Sequence, residues 1–174
     1  MAFVLLQSAS AQSTKRSELS FDLSKIGFIV NGQQVCEDKG RLQEFPSKMM
    51  DRIIAGGKDS VPVLIGMIMD EREIRTKEPI ICYWHGMTVS DAALCLLSDL
   101  FTDANAEKVT IPGLSLADMM DPQDQDRPAA DQLHLFVQRH GRAVLQAKWR
   151  KLWSQYANQI EWDEQQKCFR LKGE

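Results

Sequence analysis

The stretch Ile81-Cys82-Tyr83-Trp84-His85-Gly86-Met87-Thr88-Val89-Ser90-Asp91-Ala92-Ala93-Leu94-Cys95-Leu96-Leu97-Ser98-Asp99-Leu100-Phe101 carries the clearest structural signal in the chain. Thr88 stands where a helix cap belongs and Asp91 lies three residues on. That spacing lets the hydroxyl take the Asp91 N–H while the carboxylate reaches back to the Thr88 N–H. An acid in the first turn also faces the positive end of the helix dipole. At about 100° per residue, Val89, Ala93, Leu96, Leu97 and Leu100 share one face, with Phe101 at its edge. An amphipathic helix is therefore expected from Val89 onward. Cys95 falls off that face, beside Asp91, Ser98 and Asp99, so the apolar seam does not explain its thiol.

The same stretch brings Cys82, His85 and Cys95 close together in sequence. A zinc site wants four ligands, usually as two close pairs; Cys82 and His85 could form one pair, and the second is absent. A Cys–His nucleophile needs a group to orient the imidazole and a cation or helix N-terminus to lower the thiol pKa. Cys82 has neither sequence signature. The third reading is structural, with Tyr83 and Trp84 packed on the helix and His85 partly buried before it. Cys82 and Cys95 then either bury as thiols or bond to each other, closing a small loop that stabilises by about 3 kcal/mol in the chain-entropy model.

The chain has four cysteines, Cys36, Cys82, Cys95 and Cys168, an even number that an oxidising compartment tends to pair. All four are candidate disulfide residues, and three connectivities are open. If Cys82 joins Cys95, Cys36 is left for Cys168. The N-terminus points to the same compartment. Ala2 to Leu6 is a short apolar run and Ala9-Ser10-Ala11 is a small-x-small pattern, although the basic n-region of a signal peptide is missing. Residues 1–11 are expected to be the remainder of a signal peptide, which makes the location periplasmic or secreted; a cytoplasmic chain would keep four reduced thiols.

Upstream of the opening stretch, Ser47 is followed by Met49, Met50, Ile53 and Ile54 at helical spacing, and Gly56-Gly57 supplies a left-handed stop. A second helix opens at Val61, with Asp59 or Ser60 as cap and Pro62 in the first turn, where its missing N–H costs nothing. The series Gly57-Lys58-Asp59-Ser60-Val61-Pro62-Val63-Leu64-Ile65, closing on Asp70, resembles the inter-helix turn and second helix of HEAT-like repeats. The resemblance covers Ser47 to Asp70, with a weaker echo at Val89 to Phe101. It implies a mainly α fold of antiparallel helical hairpins and a surface for a protein or peptide partner. Residues 71–87 interrupt the repeat spacing as a long insertion.

Residues 12–44 read as a lead-in with a short strand near residues 25–35, ended by Asn31-Gly32. The helical domain is expected to span 45–174. Within it, residues 102–130 are loop-rich around a helical turn at Leu116 to Met120. Leu133, Phe136, Val137, Val144, Leu145, Trp149, Leu152, Trp153 and Tyr156 then mark a helical run that Gly141 divides in two. In Lys148 to Trp153, the tryptophans belong to the buried stripe and the bases to the solvent side. The last segment, Gln159 to Lys172, alternates about a polar centre and predicts a small terminal β-hairpin.

At 174 residues, 44% hydrophobic and 26% charged, the chain suits one globular domain. Its net charge of −3 is spread along the sequence, which gives no basic face for nucleic acid. His134 and His140 lie about 240° apart on a helix and cannot chelate from one face. Asp121, Asp124 and Asp126 lack the glycine of a calcium loop, and solvated loops are expected there. No phosphate-binding, nucleophile-elbow or zincin motif occurs. The expectation is a non-enzymatic interaction or scaffold domain with no catalytic residue, metal or cofactor, and no integral membrane segment. The alternative is a thiol or hydrolase-type enzyme using Cys82 and His85.

Overall fold

The computed structural model describes residues 19–25, 35–38, 41–44, 48–74, 87–103 and 108–173, with side chains at 19–24, 51–74, 87–103, 108–128 and 131–173. The described chain is mainly helical. Its helices are α1 (Lys48–Ala55), α2 (Ser60–Met67), α3 (Val89–Asp99), α4 (Leu116–Met119), α5 (Ala129–His140) and α6 (Arg142–Tyr156). Strands β1 (Val35–Asp38) and β2 (Arg41–Glu44) pair antiparallel, as do β3 (Ile160–Asp163) and β4 (Cys168–Leu171). The second pair is the terminal hairpin that the alternation predicts. The strand expected near residues 25–35 and the Ser47 cap lie almost wholly outside the described residues.

The core forms where α2 and α6 close over α3. Leu94, Leu96 and Leu97 of α3, and Leu100 just after it, are fully buried in one core with Val61, Leu64 and Ile65 of α2 and Leu145 and Trp149 of α6. Phe101 links this core to the hairpin, its ring centre 6.2 Å from that of Trp149 and 5.7 Å from that of Phe169. Trp162 meets Phe169 edge-on at 5.2 Å, an arrangement that suits the aromatic quadrupole. From the N-terminal side, Phe21 and Leu23 insert into the same core, and Arg52 Nη2 donates to the Ser20 carbonyl at 3.1 Å. As the spacing predicts, Trp149 is buried, Leu152, Trp153 and Tyr156 are part-buried, and Lys148, Arg150 and Lys151 are exposed.

Several turns follow from single residues. Gly141 has φ +80° and ψ 156°, a region that residues with a Cβ essentially avoid, and it separates α5 from α6. Gly57 takes φ +54° before α2. Gly56 has ordinary dihedrals and is required for space instead, because a Cβ there would stand 2.2 Å from Ser60 Oγ. The start of α2 departs from expectation. Neither Asp59 nor Ser60 caps it through a side chain, since Ser60 Oγ donates to the Ile53 carbonyl of α1 at 2.6 Å. A hydroxyl buried in that crevice is satisfied by the nearest free carbonyl, and here that carbonyl belongs to the preceding helix.

Candidate functional site

The polar edge of α3 is the place where sequence and structure concentrate chemistry. Asp91, Cys95 and Asp99 recur every fourth residue along it. At its start the predicted capping box is formed. Thr88 Oγ1 accepts from the Asp91 N–H at 3.3 Å, and Asp91 Oδ2 accepts from the Thr88 N–H at 2.9 Å and from its hydroxyl at 2.8 Å. The two ends of the residue 71–87 insertion lie alongside. Val89 N–H donates to the Arg72 carbonyl, Ser90 N–H to that of Asp70, and Ile74 N–H to that of Met87.

Arg142, the first residue of α6, closes this end. Its Nη1 donates to Asp91 Oδ1 at 3.0 Å and to Ser90 Oγ at 2.7 Å, and its Nε lies 3.5 Å from Glu71 Oε1. Ser90 Oγ in turn donates to the Ile68 carbonyl at 2.6 Å. Only 13% of the Arg142 side chain and 9% of that of Asp91 are exposed, so this is a nearly buried ion pair tying α2, α3 and α6 together. A planar guanidinium is suited to such a role because its donors reach several acceptors at once. One turn along α6, Gln146 Nε2 donates to the Ile65 carbonyl at 2.8 Å and the Gly66 carbonyl at 3.3 Å, near the end of α2.

Cys95 and Asp99 lie further along the edge. Burial pushes the half-buried Cys95 thiol up, and the charges of Asp99 and then Asp91 push it further. It stays a neutral thiol. Asp99 is part-exposed as a residue, but its Oδ2 is sealed and has no hydrogen-bond partner, and burial raises the carboxyl to about 7. Cys168, buried in β4, is held up at about 11, first by burial and then by the charge of Asp163. Cys95 and Cys168 are free thiols. Neither has the lowered pKa of a reactive cysteine. Cys82 and His85 lie outside the described residues, and Cys36 is described only in its backbone.

A second polar centre joins the loop after α4 to α5. Arg139 Nη1 donates to Asp121 Oδ2 at 2.9 Å and also pairs with Asp124, which lies 3.3 Å from Arg127 Nε. His140 Nε2 sits 3.1 Å from both Asp121 oxygens. The Arg139 guanidinium, then the His140 ring, holds the Asp121 carboxyl below its usual range. Solvated carboxylates are expected in this loop, yet Asp124 is buried. Arg139 and Arg127 remove the need for water there. Lys148 likewise departs from a purely solvating role: its Nζ donates to the Met119 carbonyl at 2.8 Å and lies 4.5 Å from the centre of the Phe136 ring.

Among the described residues no group of three or more His, Cys, Asp or Glu could hold a metal ion. None of their helices is long and apolar enough to cross a membrane. Sequence reasoning missed Arg142, Gln146 and Arg139. The available signal for Arg142 was the acid at 91 on the edge of a strongly apolar helix with no cation a turn away. Comparison with protein families, curated proteins and solved structures finds no match for this chain.

Proposed function

We propose that this chain is a non-enzymatic helical interaction domain, HEAT-like over Ser47 to Asp70, that binds a protein or peptide partner in the periplasm or outside the cell. One observation carries the reading. The buried polar side chains Asp91, Asp124, Ser60, Ser90 and Gln146 are engaged in contacts between elements, which leaves them as struts rather than reagents. The raised pKa values of Cys95 and Cys168 support it, because neither thiol is poised for attack. We assign the partner surface to the exposed side of α6 that carries Val144 and Lys151.

The test is co-purification of the full chain from its host beside the double variant Val144→Asp/Lys151→Glu. One protein recovered in stoichiometric amount with the natural chain and lost with the variant is the expected result. Rapid, selective alkylation of Cys82 at neutral pH, with no partner recovered, would replace this reading by the thiol enzyme. Intact mass after alkylation of the unreduced chain tests the location. Two bridges are expected for an exported protein, which requires Cys95 and Cys168, free thiols in this structure, to pair on oxidation, and four alkylated thiols return it to a reducing compartment.

A further inference from the structure

The last turn of α3 holds the carboxyl of Asp99, with Oδ2 sealed from solvent and unbonded. A carboxyl oxygen sealed from water with no donor beside it favours the neutral acid over the charged form. The position adds to the difficulty, because the free carbonyls at a helix C-terminus carry partial negative charge. Among the described residues no hydrogen-bond partner meets Oδ2. On α3 itself stand Cys95 and Asp91, and Asp91 is already taken by Arg142. Helix α2 has no ionisable side chain. Helix α4 brings Asp118, which accepts from Ser115 Oγ and the Gly113 N–H. The following loop brings Asp103, accepting from the Lys108 N–H, and Lys108 itself. Strand β4 brings Cys168 and Arg170, the latter paired with Glu161 and Asp163. Burial alone accounts for the raised carboxyl.

Several elements are attached at this turn. The Phe169 N–H of β4 donates to the Leu100 carbonyl at 2.8 Å, the Leu116 N–H of α4 to Ser98 Oγ at 3.3 Å, and Thr102 Oγ1 to the Ser98 carbonyl at 2.9 Å. We propose that Asp99 is a pH-sensitive latch: protonated, it lets the C-terminal end of α3 close, and ionised, it loosens the hairpin and the α4 segment docked there. The sign follows from linkage. The folded carboxyl sits at about 7, above its unfolded value of about 3.9. The stability it contributes is therefore whole below about pH 4, falls as pH rises, and is gone above about pH 7.

Urea unfolding of the full chain and of Asp99→Asn, across that interval and beyond it, reads the latch. The unfolding constant of the natural chain divided by that of the variant should climb about tenfold per pH unit between about pH 4 and about pH 7, then level off. In the native state, amide exchange at Phe169 and Leu116 should accelerate above neutrality in the natural chain relative to the variant at the same pH. A ratio that is constant or falls with pH overturns the proposal. Asp99→Leu supplies the same comparison should Asn not be accommodated. If neither variant folds, the carboxyl holds a bond the fold needs, and the latch is overturned as well.

Discussion

At its N-terminal end α3 places Asp91 with 9% of its side chain exposed, and two turns later it places Asp99 with one oxygen sealed. Both are acids on the same edge of the same helix. Asp91 meets the N–H and hydroxyl of Thr88 at the helix start, the positive end of the dipole and Arg142. Asp99 meets no hydrogen-bond donor at Oδ2 and the negative end of the dipole. Burial of a carboxylate is thus neither stabilising nor destabilising in itself. The nearest cation and the helix end decide, and both are set by which element packs there. At the first end that element is α6, anchored by the Gly141 break. At the second, the adjoining helix α2 is apolar along its described length.

Arg142→Met tests the contrast most severely. Removing one partner from a nearly buried pair leaves the other charge uncompensated, a loss of about 3 kcal/mol or more. Asp91 would then keep only the helix start as compensation. The double variant Asp91→Asn/Arg142→Met should recover much of that loss, because no lone charge remains. Chemical denaturation of the natural chain and both variants measures this. A loss under about 1 kcal/mol for Arg142→Met would mean that Asp91 is already neutralised by the helix start alone.

Thr88→Ala separates the cap from the ion pair. The hydroxyl that takes the Asp91 N–H, donates to Asp91 Oδ2 and accepts a long contact from Arg142 Nη2 disappears, while Arg142 Nη1 and Asp91 Oδ1 keep theirs, so about 1 kcal/mol should be lost, and Thr88→Ser should restore most of it. A Thr88→Ala loss equal to that of Arg142→Met would show that hydroxyl, carboxylate and guanidinium act as one unit. The two ends of α3 would then differ by a network rather than by a single cation.

What sequence disclosed of this arrangement was its local part. The Thr88 and Asp91 capping box, the Gly141 break, the Trp149 stripe, the short helix at Leu116 and the terminal hairpin all follow from spacings of a few residues. So does the off-face position of Cys95. Arg142 reaches Asp91 from 51 residues away and Gln146 reaches Ile65 from 81, and no periodicity encodes such a meeting. Asp124 looked solvated because its loop is polar, and only the fold brings Arg139 over it. Strands β1 and β2, Val-Cys-Glu-Asp and Arg-Leu-Gln-Glu, are too polar to declare themselves by β-propensity. Cys82 and His85, which suggest a site in the sequence, fall outside the described residues, and Cys95 is the described member of that trio.

The smallest effect is expected at Gly66, and it extends the comparison from α3 to α2. Helix α2 has no side-chain cap at its start, and near its end the Ile65 and Gly66 carbonyls are held by Gln146 of α6. It is stabilised by what surrounds it rather than by its own sequence. Gly66 is on its exposed face, and a Cβ there meets nothing within 4 Å. Gly66→Ala should therefore raise stability by about 0.5–1 kcal/mol through backbone entropy alone. A thermal melt resolves a change of that size as an upward shift in Tm. No shift, or a fall, would mean that the Gln146 contact depends on the freedom of the glycine backbone, and that the C-terminal end of α2 is fixed as tightly by a long-range donor as the N-terminal end of α3 is by Arg142.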